Sequence, residues 1–207
     1  MLEDTGERVI PDKMEPTNQL LIEHVARYQL ATAFVEGRVL DFACGSGFGT
    51  HMLAKSCKGK IDSIIGVDIN PDALAYAQYR YYHPLSKFIQ GDVADPKLPD
   101  QLGQFDWVLS FETIEHIREE KQFLSNIYQL LKPGGSLILS TPFGEGRNKP
   151  SGEPFHVHQF TVDEFKHLFD GFDYQSVEFF NQKGGLIVPA EYKINQYFPI
   201  GIALCKK

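Results

Sequence analysis

Short apolar segments alternate with helix-forming segments along the first two thirds of the chain, and this order limits the folds available to it. The apolar segments that predict strands are 38–42, 63–67, 87–90, 107–111 and 136–140. The segments that predict helices are 21–35, 48–57, 73–82 and 119–131. Strands and helices that alternate at this spacing build right-handed βαβ crossovers and a largely parallel sheet.

The last third of the chain follows a different pattern. Residues 142–159 contain three prolines, three glycines and two histidines without periodicity, which indicates a long loop. Segments 172–180 and 200–205 predict two more strands, and 191–196 is the one stretch between them that could be helical. Without a helical crossover the two strands would form an antiparallel pair at the end of the sheet.

Two helix starts carry strong capping signals. Asn70 followed by Pro71 predicts an N-cap and a first helical position. Thr161 with Glu164 three residues later is a capping-box pattern, and it predicts a short helix that ends near Phe169.

These elements predict an α/β fold with a doubly wound, mostly parallel seven-stranded sheet, a terminal antiparallel strand and helices on both faces. With 207 residues, of which 43% are hydrophobic, the chain can bury one good core. We therefore predict a single domain at 1–207. It divides into an N-terminal arm and helix at 1–36, a ligand-binding core at 37–141, and a loop with a C-terminal hairpin at 142–207.

The charge balance and the cysteines limit the partners and the compartment. The chain has 20 Lys and Arg against 27 Asp and Glu, a net charge of -7, so no overall field attracts nucleic acid or an anionic membrane. No apolar stretch is long enough to span a bilayer, and residues 1–16 lack the apolar run of a secretory signal. Cys44, Cys57 and Cys205 are scattered, which predicts reduced thiols in a cytoplasmic protein.

The most informative local pattern is a glycine-rich loop directly after the first predicted strand. Gly45 and Gly47 lack the Cβ atoms that would keep a ligand away from the backbone, and the next helix directs free N–H groups to the same place. Asp68 closes the second strand about 20 residues further on, where dinucleotide-binding folds hold ribose hydroxyls. Together they predict a nucleotide-like ligand. The alternative is a plain tight turn, with Asp68 as a favourable charge near the helix that Asn70 caps.

Five segments resemble, in order, the motifs of class I S-adenosylmethionine-dependent methyltransferases: 41–49, 66–70, 91–93, 105–116 and 131–135. Their joint occurrence by chance is improbable. Residues 5–11 also resemble the N-terminal segment of a bacterial subgroup of small-molecule methyltransferases. The resemblance implies a Rossmann-like fold and S-adenosyl-L-methionine as the cofactor.

The resemblance also assigns a cofactor site. Asp68 would bind the ribose, Asp92 the adenine amino group, and the ring face of Phe111 would attract the sulfonium. Glu112 and Glu115 are candidates for the methionine amino group or an acceptor amine, with solvent exposure the favoured alternative for Glu115. The predicted cofactor-binding residues are Asp41, Ala43, Cys44, Gly45, Ser46, Gly47, Asp68, Ile69, Gly91, Asp92, Val93, Phe111 and Glu112.

Three histidines are the candidate catalytic residues. His116 follows the fourth strand and should stand over the methyl group of the cofactor, where an ordinary pKa of about 6.5 suits proton transfer. Packing of a short helix is an equal alternative for His116. His156 and His158 would line the acceptor pocket as lid residues, or be solvated. A metal site that includes Glu153 is the weaker idea, because His-x-His supplies two ligands without a well-spaced third, so we predict no metal.

The predicted function is methyl transfer to the oxygen or nitrogen of a small-molecule acceptor by in-line displacement. The segment 110–113 lacks the Asn/Asp-Pro-Pro-aromatic pattern of enzymes that methylate DNA bases, which argues against nucleic acid. A homodimer is included among the predicted partners. Two alternatives remain open. One is a catalytically idle cofactor-binding subunit, and the other is a nicotinamide-dependent oxidoreductase, which the spacing of Gly45, Gly47 and Gly49 disfavours.

Overall fold

The computed structural model describes residues 2–3, 6, 8–192 and 194–207, and these form one eight-stranded sheet with flanking helices. The strands are β1 (Gly37–Phe42), β2 (Ile61–Asp68), β3 (Ser86–Gln90), β4 (Phe105–Phe111), β5 (Leu131–Pro142), β6 (Ser176–Lys183), β7 (Leu186–Pro189) and β8 (Ile200–Lys206). The helices are α1 (Gln19–Thr32), α2 (Phe48–Ser56), α3 (Pro71–Arg80), α4 (Leu98–Leu102), α5 (Glu120–Leu130) and α6 (Val162–Lys166).

The strand order is β3-β2-β1-β4-β5-β8-β6-β7. Strands β1 to β5 pair in parallel, with β1 between β2 and β4. Strand β8 lies antiparallel between β5 and β6, and β7 pairs antiparallel with β6. The predicted doubly wound sheet with antiparallel pairing at its end is therefore confirmed.

The predicted number of strands is one too low, because β7 was not anticipated. This strand has four residues and follows a turn in which Gly184 has a φ of +57°. Leu186 at its start is 50% exposed, so the segment has no continuous buried face. A strand this short, without alternation of apolar and polar residues, gives little signal in a sequence.

Other boundaries also differ from the predictions. Helix α4 was missed because it has five residues and contains a proline. Strand β6 begins at Ser176 instead of 172, since the ring of Phe172 packs against that of Tyr128, with 5.3 Å between centroids. The helix considered at 191–196 is absent from the described part of that segment, which forms turns and bends, and position 193 lies outside the description.

Both predicted caps are confirmed. The side chain of Asn70 accepts hydrogen bonds from the backbone N–H groups of Asp72 and Ala73 at 2.9 and 3.0 Å. Thr161 and Glu164 form the reciprocal capping box at the start of α6. These caps satisfy N–H groups that have no partner within the first helical turn.

The central strands are buried on both faces of the sheet. Along β1, Leu40 and Phe42 pack into the cluster that contains α5 residues, whereas Val39 packs into the cluster that contains α1 and α2 residues. Consecutive side chains of a strand point to opposite faces, so a continuous apolar strand requires helices on both sides. Within the residues described, none of the helices has the length and hydrophobicity that crossing a bilayer would require.

Candidate active site

A cavity of about 520 Å³ lies at the carboxyl ends of β1, β2 and β4, and we call it the cleft. Its walls come from the loop after β1, the ends of β2 and β4, the segment after β3, and the N-terminal arm. The strand order reverses between β1 and β4, and loops from the two sides diverge there. Ligands of doubly wound sheets bind at this point for that reason.

The glycine-rich loop forms one wall of the cleft. Ala43, Gly45 and Gly47 have φ angles of +70°, +56° and +80°, a left-handed conformation that glycine adopts at little cost. A Cβ atom at Gly45 would meet nothing within 4 Å, so its backbone faces open space. A Cβ atom at Gly47 would lie 2.5 Å from Cβ of Ala77, which shows that Gly47 allows the start of α2 to pack on α3.

Asp68 holds the glycine-rich loop against the end of β2. Its carboxylate accepts hydrogen bonds from the backbone N–H groups of Gly45 at 2.8 Å and Asn70 at 2.9 Å. Burial raises the pKa of Asp68, while these N–H groups and the positive charge of Arg8 lower it. An ionised carboxylate has about four lone-pair positions, so Asp68 keeps acceptor capacity for a ligand in the cleft.

Asp41 lies behind the loop and does not line the cleft. It is 1% exposed and accepts hydrogen bonds from Tyr28 Oη at 3.1 Å and Thr50 Oγ1 at 2.6 Å. Burial raises the pKa of its carboxyl to about 6, although both hydroxyl groups lower it. Asp41 therefore joins α1 and α2 to β1, and any effect on a ligand would pass through the loop.

The loops after β2 and β3 supply a mixed apolar and acidic wall. Ile69, Asp92 and Val93 line the cleft, and Ile69 is 62% exposed. The Asp92 carboxylate accepts a hydrogen bond from the Ala94 N–H at 2.9 Å, which fixes its orientation. Gly91 does not line the cleft. A Cβ atom at this position would lie 2.8 Å from Cδ1 of Leu98, so the glycine allows close packing against that side chain.

The end of β4 brings Phe111 and Glu112 to the opposite wall. The Phe111 ring packs edge-on against Tyr28, with 5.0 Å between centroids. Glu112 has a φ of +50°, a conformation that is uncommon for residues other than glycine and concentrates at functional sites. Its carboxylate accepts a hydrogen bond from Ser140 Oγ at 2.6 Å and lies 3.9 Å from Nη1 of the buried Arg27.

The structure brings two of the three candidate histidines together, His116 and His156, and gives His158 a different contact. His116 lines the cleft, and its Nδ1 is 3.0 Å from the carbonyl oxygen of Phe155. His156 lies beside His116, with 4.9 Å between ring centroids. His158 does not line the cleft, because its Nε2 donates a hydrogen bond to the Ile114 carbonyl at 2.8 Å. This bond gives His158 a structural role, and the prediction that it is catalytic has no geometric support.

Glu115 is buried, so its predicted solvent exposure is wrong. The residue is 1% exposed and accepts a hydrogen bond from Thr141 Oγ1 at 3.1 Å. Burial raises the pKa of its carboxyl well above the usual range, and the negative charge of Glu112 raises it further. The Oε1 atom lies 3.9 Å from Nε2 of His116.

Several residues that line the cleft were missed by the sequence analysis. Arg8 and Val9 reach it from the N-terminal arm, and His24 and Tyr28 reach it from α1. The resemblance noted for residues 5–11 rests partly on positions 5 and 7, which lie outside the described residues. Burial and the charge of Arg27 lower the pKa of His24 to about 3. The sequence signal that could have identified the α1 residues of the cleft was the presence of polar residues within the apolar stripe of that helix.

The doubly wound sheet, the glycine-rich loop and the acid at the end of β2 define a class I S-adenosylmethionine-dependent methyltransferase. Residues 40–139 match a family described as a methyltransferase domain. The chain therefore contains a methyltransferase domain and has S-adenosylmethionine-dependent methyltransferases as homologues, which implies S-adenosylmethionine as the cofactor.

Curated relatives share part of the sequence. A probable S-adenosylmethionine-dependent methyltransferase of Mycolicibacterium smegmatis is 33% identical over 171 residues, which cover 80% of this chain and 63% of the relative. A fatty-acid O-methyltransferase of the same species is 35% identical over 53% of this chain and 39% of the relative. A ubiquinone biosynthesis O-methyltransferase of Xanthomonas oryzae is 33% identical over 60% and 49%. The chain thus spans less than two thirds of the length of these relatives.

Solved structures share the fold at lower identity. The methyltransferase in complex with the Haloferax volcanii activator Trm112 has a TM-score of 0.70 at 20% identity, with 89% of each chain covered. The small RNA methyltransferase HEN1 has a TM-score of 0.70 at 23% identity, covering 94% of this chain and 26% of that chain. At these identities the likeness concerns the fold alone.

The residues of the cleft fit S-adenosylmethionine. The open backbone at Gly45 admits a ligand, and Asp68 offers acceptors for hydroxyl groups. Ile69 and Val93 give apolar surface for an adenine, and the ring of Phe111 attracts a cation. These residues would hold the cofactor.

Proposed function

We propose that the protein transfers a methyl group from S-adenosylmethionine to a small-molecule acceptor at an oxygen or nitrogen atom. The observation that carries the proposal is the single cleft, which joins Gly45 and Asp68 at one wall to Phe111, Glu112 and His116 at the other. Such a cleft can hold a cofactor and an acceptor against each other.

An oxygen acceptor is the better supported of the two classes. Two of the relatives are named as O-methyltransferases, one of fatty acids and one of ubiquinone biosynthesis. The net charge of -7 also supports a small acceptor over nucleic acid. Aromatic side chains at the cleft, among them Phe48, Phe111 and Phe155, offer apolar surface for the rest of such a molecule.

When bound, S-adenosylmethionine supplies an electrophilic methyl group on a sulfonium. The chain contributes mainly alignment, since holding two reactants in line can lower a barrier by about 7 to 11 kcal/mol. The backbone hydrogen bond from Gly45 to Asp68 fixes the wall on which the cofactor would lie. The left-handed backbone of Glu112 turns its carboxylate toward Ser140 and keeps the end of β4 open.

His116 is the residue that we assign to the attacking atom of the acceptor. The Phe155 carbonyl oxygen can only accept a hydrogen bond, so Nδ1 of His116 is the donor in this contact. A hydroxyl acceptor loses a proton when its oxygen bonds to the methyl carbon, and a basic group at this wall assists that step. His156 is assigned to the same wall through its contact with His116.

The proposal extends to compartment and assembly. Cys44, Cys57 and Cys205 are free and buried, which supports a reducing compartment such as the cytoplasm. A homodimer is the assembly that we include, and light scattering of the purified chain tests it. A mass equal to one chain at micromolar concentration would remove the dimer from the proposal.

The test is a turnover assay with S-adenosylmethionine and four acceptor classes: long-chain fatty acids, polyhydroxylated phenols, primary amines and a short RNA. We expect release of S-adenosylhomocysteine with an acid or a phenol, and loss of that release in the Asp68→Ala variant. Cofactor binding without release for any acceptor would favour an idle cofactor-binding subunit. Release with the RNA alone would contradict a small-molecule acceptor.

A further inference from the structure

We propose that Glu115, His116 and His156 form a binding site for a divalent transition-metal ion beside the cleft. One carboxylate oxygen and one nitrogen of each ring lie within 4.8 Å of one another. Two histidines and a carboxylate are a ligand set that suits divalent ions such as zinc, manganese and iron. The sequence analysis predicted no metal because it searched for a third ligand near the His-x-His pair. Only His156 of that pair joins the cluster, and the other two ligands, Glu115 and His116, come from the segment after β4.

Backbone hydrogen bonds bring the two ligand segments together. The Val157 N–H donates to the Glu115 carbonyl at 2.9 Å, and His158 Nε2 donates to the Ile114 carbonyl at 2.8 Å. With the bond between His116 and Phe155, these contacts occur on both sides of His156 in the sequence. The ligands are therefore held in place by pairing of the main chain, which lowers the entropic cost of assembling a site.

The tautomer of His116 fits a metal ligand. Its Nδ1 donates to a backbone carbonyl, which is the outer hydrogen bond that metal-binding histidines commonly make. Its Nε2 atom lies 3.9 Å from Oε1 of Glu115, so a cation placed between these two atoms would be within reach of both.

Glu115 has the environment of a ligand carboxylate. It is 1% exposed and receives a hydrogen bond from Thr141 Oγ1 at 3.1 Å. Removing a carboxylate from water is costly unless an opposite charge compensates for it. A divalent ion at this point supplies that charge.

The cluster must contract slightly to coordinate an ion. With bonds of about 2.1 Å and tetrahedral angles, neighbouring ligand atoms lie about 3.4 Å apart. The observed 3.9 Å between Glu115 and His116 requires a shift of about half an ångström, and separations of up to 4.8 Å within the cluster require a shift of up to about 1.4 Å, which side-chain rotation supplies. Three ligands from the described residues leave at least one position for a further ligand in a tetrahedral site.

His116 also lines the cleft, so the open position is available to an acceptor oxygen. This step alone rests on the proposed function. The ion would then polarise the acceptor oxygen as a Lewis acid, so that a hydroxyl acceptor would lose its proton to solvent water before its oxygen bonds to the methyl carbon, and Nε2 of His116 would serve as a ligand of the ion. Binding of the ion is independent of methyl transfer and can be measured without cofactor or acceptor.

The experiment is a calorimetric titration of the tag-free, chelator-treated chain with Zn²⁺ and with Mn²⁺, in the absence of S-adenosylmethionine. We expect one ion per chain, and a loss of affinity of at least tenfold in His156→Ala, since removing even an outer partner of a ligand costs about 10- to 100-fold. The Co²⁺-loaded wild type should show visible d–d absorption that His156→Ala lacks. His156 is on a partly exposed loop, and circular dichroism checks that the variant folds.

The matched control is His83→Ala. His51 and His83 form a second histidine pair, with 6.2 Å between ring centroids, and they are the main alternative for adventitious binding. We expect His83→Ala to bind the ion as tightly as the wild type. Equal affinity in His156→Ala and wild type, absence of binding in the wild type, or loss of binding in His83→Ala would overturn the proposal. None of these outcomes depends on whether the protein transfers methyl groups.

Discussion

At the scale of single residues, Asp68 links the structure of the cleft to ligand binding. Its carboxylate already accepts two backbone N–H groups and still faces the cleft. Removing it takes away both the anchor of the glycine-rich loop and an acceptor for ligand hydroxyls. Hydrogen bonds to a charged group contribute about 1.5 to 3 kcal/mol each.

We therefore expect Asp68→Ala to weaken S-adenosylmethionine binding by roughly 10- to 150-fold, which corresponds to one such hydrogen bond. Calorimetry on the folded variant measures the change. Asp72→Ala is the control, because Asp72 is an exposed acid in the first turn of α3 outside the lining of the cleft. Equal affinity in Asp68→Ala and wild type would contradict the assignment of Asp68.

The raised pKa of Asp41 predicts that the stability of the fold depends on pH. Its pKa is raised from 3.8 to about 6 in the folded chain, mainly by burial. The folded state then binds the proton more tightly than the unfolded state between these values, so the free energy of unfolding falls as the pH rises through this interval. A difference of about two pKa units corresponds to roughly 3 kcal/mol.

In Asp41→Asn, this part of the pH dependence should be lost, because the amide does not titrate. Urea unfolding at about pH 4 and pH 7 gives the two free energies, and the slope between them is compared with wild type. Asp62→Asn removes an exposed carboxylate in β2 and should keep the wild-type slope. An Asp41→Asn variant with the wild-type slope would show that the pKa of Asp41 is the same in the folded and the unfolded chain.

Sequence motifs predicted the residues that lie next to a strand end. Gly45, Asp68, Phe111 and His116 line the cleft because each lies at the carboxyl end of its strand or a few positions after it. Sequence motifs do not distinguish a residue that lines the cleft from one that packs behind it. Asp41, Gly47 and Gly91 were therefore assigned to ligand binding, although Asp41 supports the loop and the two glycines allow close packing. The burial of Glu115 depends on the loop that covers it, and no local pattern reports that contact.

At the scale of elements, the N-terminal arm covers part of the cleft. Arg8 and Val9 contribute to its lining, and the Val9 carbonyl accepts a hydrogen bond from Ser46 Oγ at 2.6 Å. Asp12 anchors the arm to α3 through Arg80, with Nε and Oδ2 2.5 Å apart, and through Tyr76 Oη at 2.9 Å. The arm is thus fixed at Val9 and again at Asp12, close to the residues that reach the cleft.

We expect Arg80→Ala to loosen the arm and to raise the dissociation rate of S-adenosylmethionine several-fold, with little change in the thermal midpoint. The physical reason is that Arg80 and Asp12 are exposed, and such pairs order a segment more than they stabilise a fold. Stopped-flow dissociation and hydrogen exchange at Val9 and Ile10 measure the effect. The control is Lys58→Ala, because Lys58 is an exposed cation away from the arm. Unchanged hydrogen exchange at Val9 in Arg80→Ala would contradict the anchoring role of Arg80.

Long periodic elements were predictable, and short ones were not. Strands β1 to β5 and helices α1, α2, α3 and α5 follow apolar patterns of adequate length, and the caps at Asn70 and Thr161 were visible in the sequence. Strand β7 and helix α4 have four and five residues, and neither contains a full period of its pattern. Tertiary packing decides whether segments of this length become regular.

At the scale of the whole molecule, cofactor binding should stabilise the fold, because the cleft joins β1, β2, β4 and the arm. A ligand at 100 times its dissociation constant adds about 2.7 kcal/mol to the free energy of unfolding. For a chain of this size, the thermal midpoint shifts by about 2 to 4 °C per kcal/mol.

The midpoint temperature of thermal unfolding should therefore be about 5 to 10 °C higher with S-adenosylmethionine at this concentration than without it. The same concentration of NAD should leave the midpoint unchanged, since the loop lacks the spacing of a dinucleotide fingerprint. A shift with NAD and none with S-adenosylmethionine would support the oxidoreductase alternative and contradict the methyltransferase proposal.

The position of β8 affects how the chain can be made. Among the residues that the structure describes, strands β6 and β7 join the rest of the sheet only through β8, which pairs with β5 on one side and β6 on the other. A ribosome that has released β6 and β7 but not yet β8 therefore presents a hairpin and a half-built sheet, each with an open edge. Open edges recruit other chains, so the interval before residues 200–206 emerge is when a nascent chain of this protein most needs a chaperone.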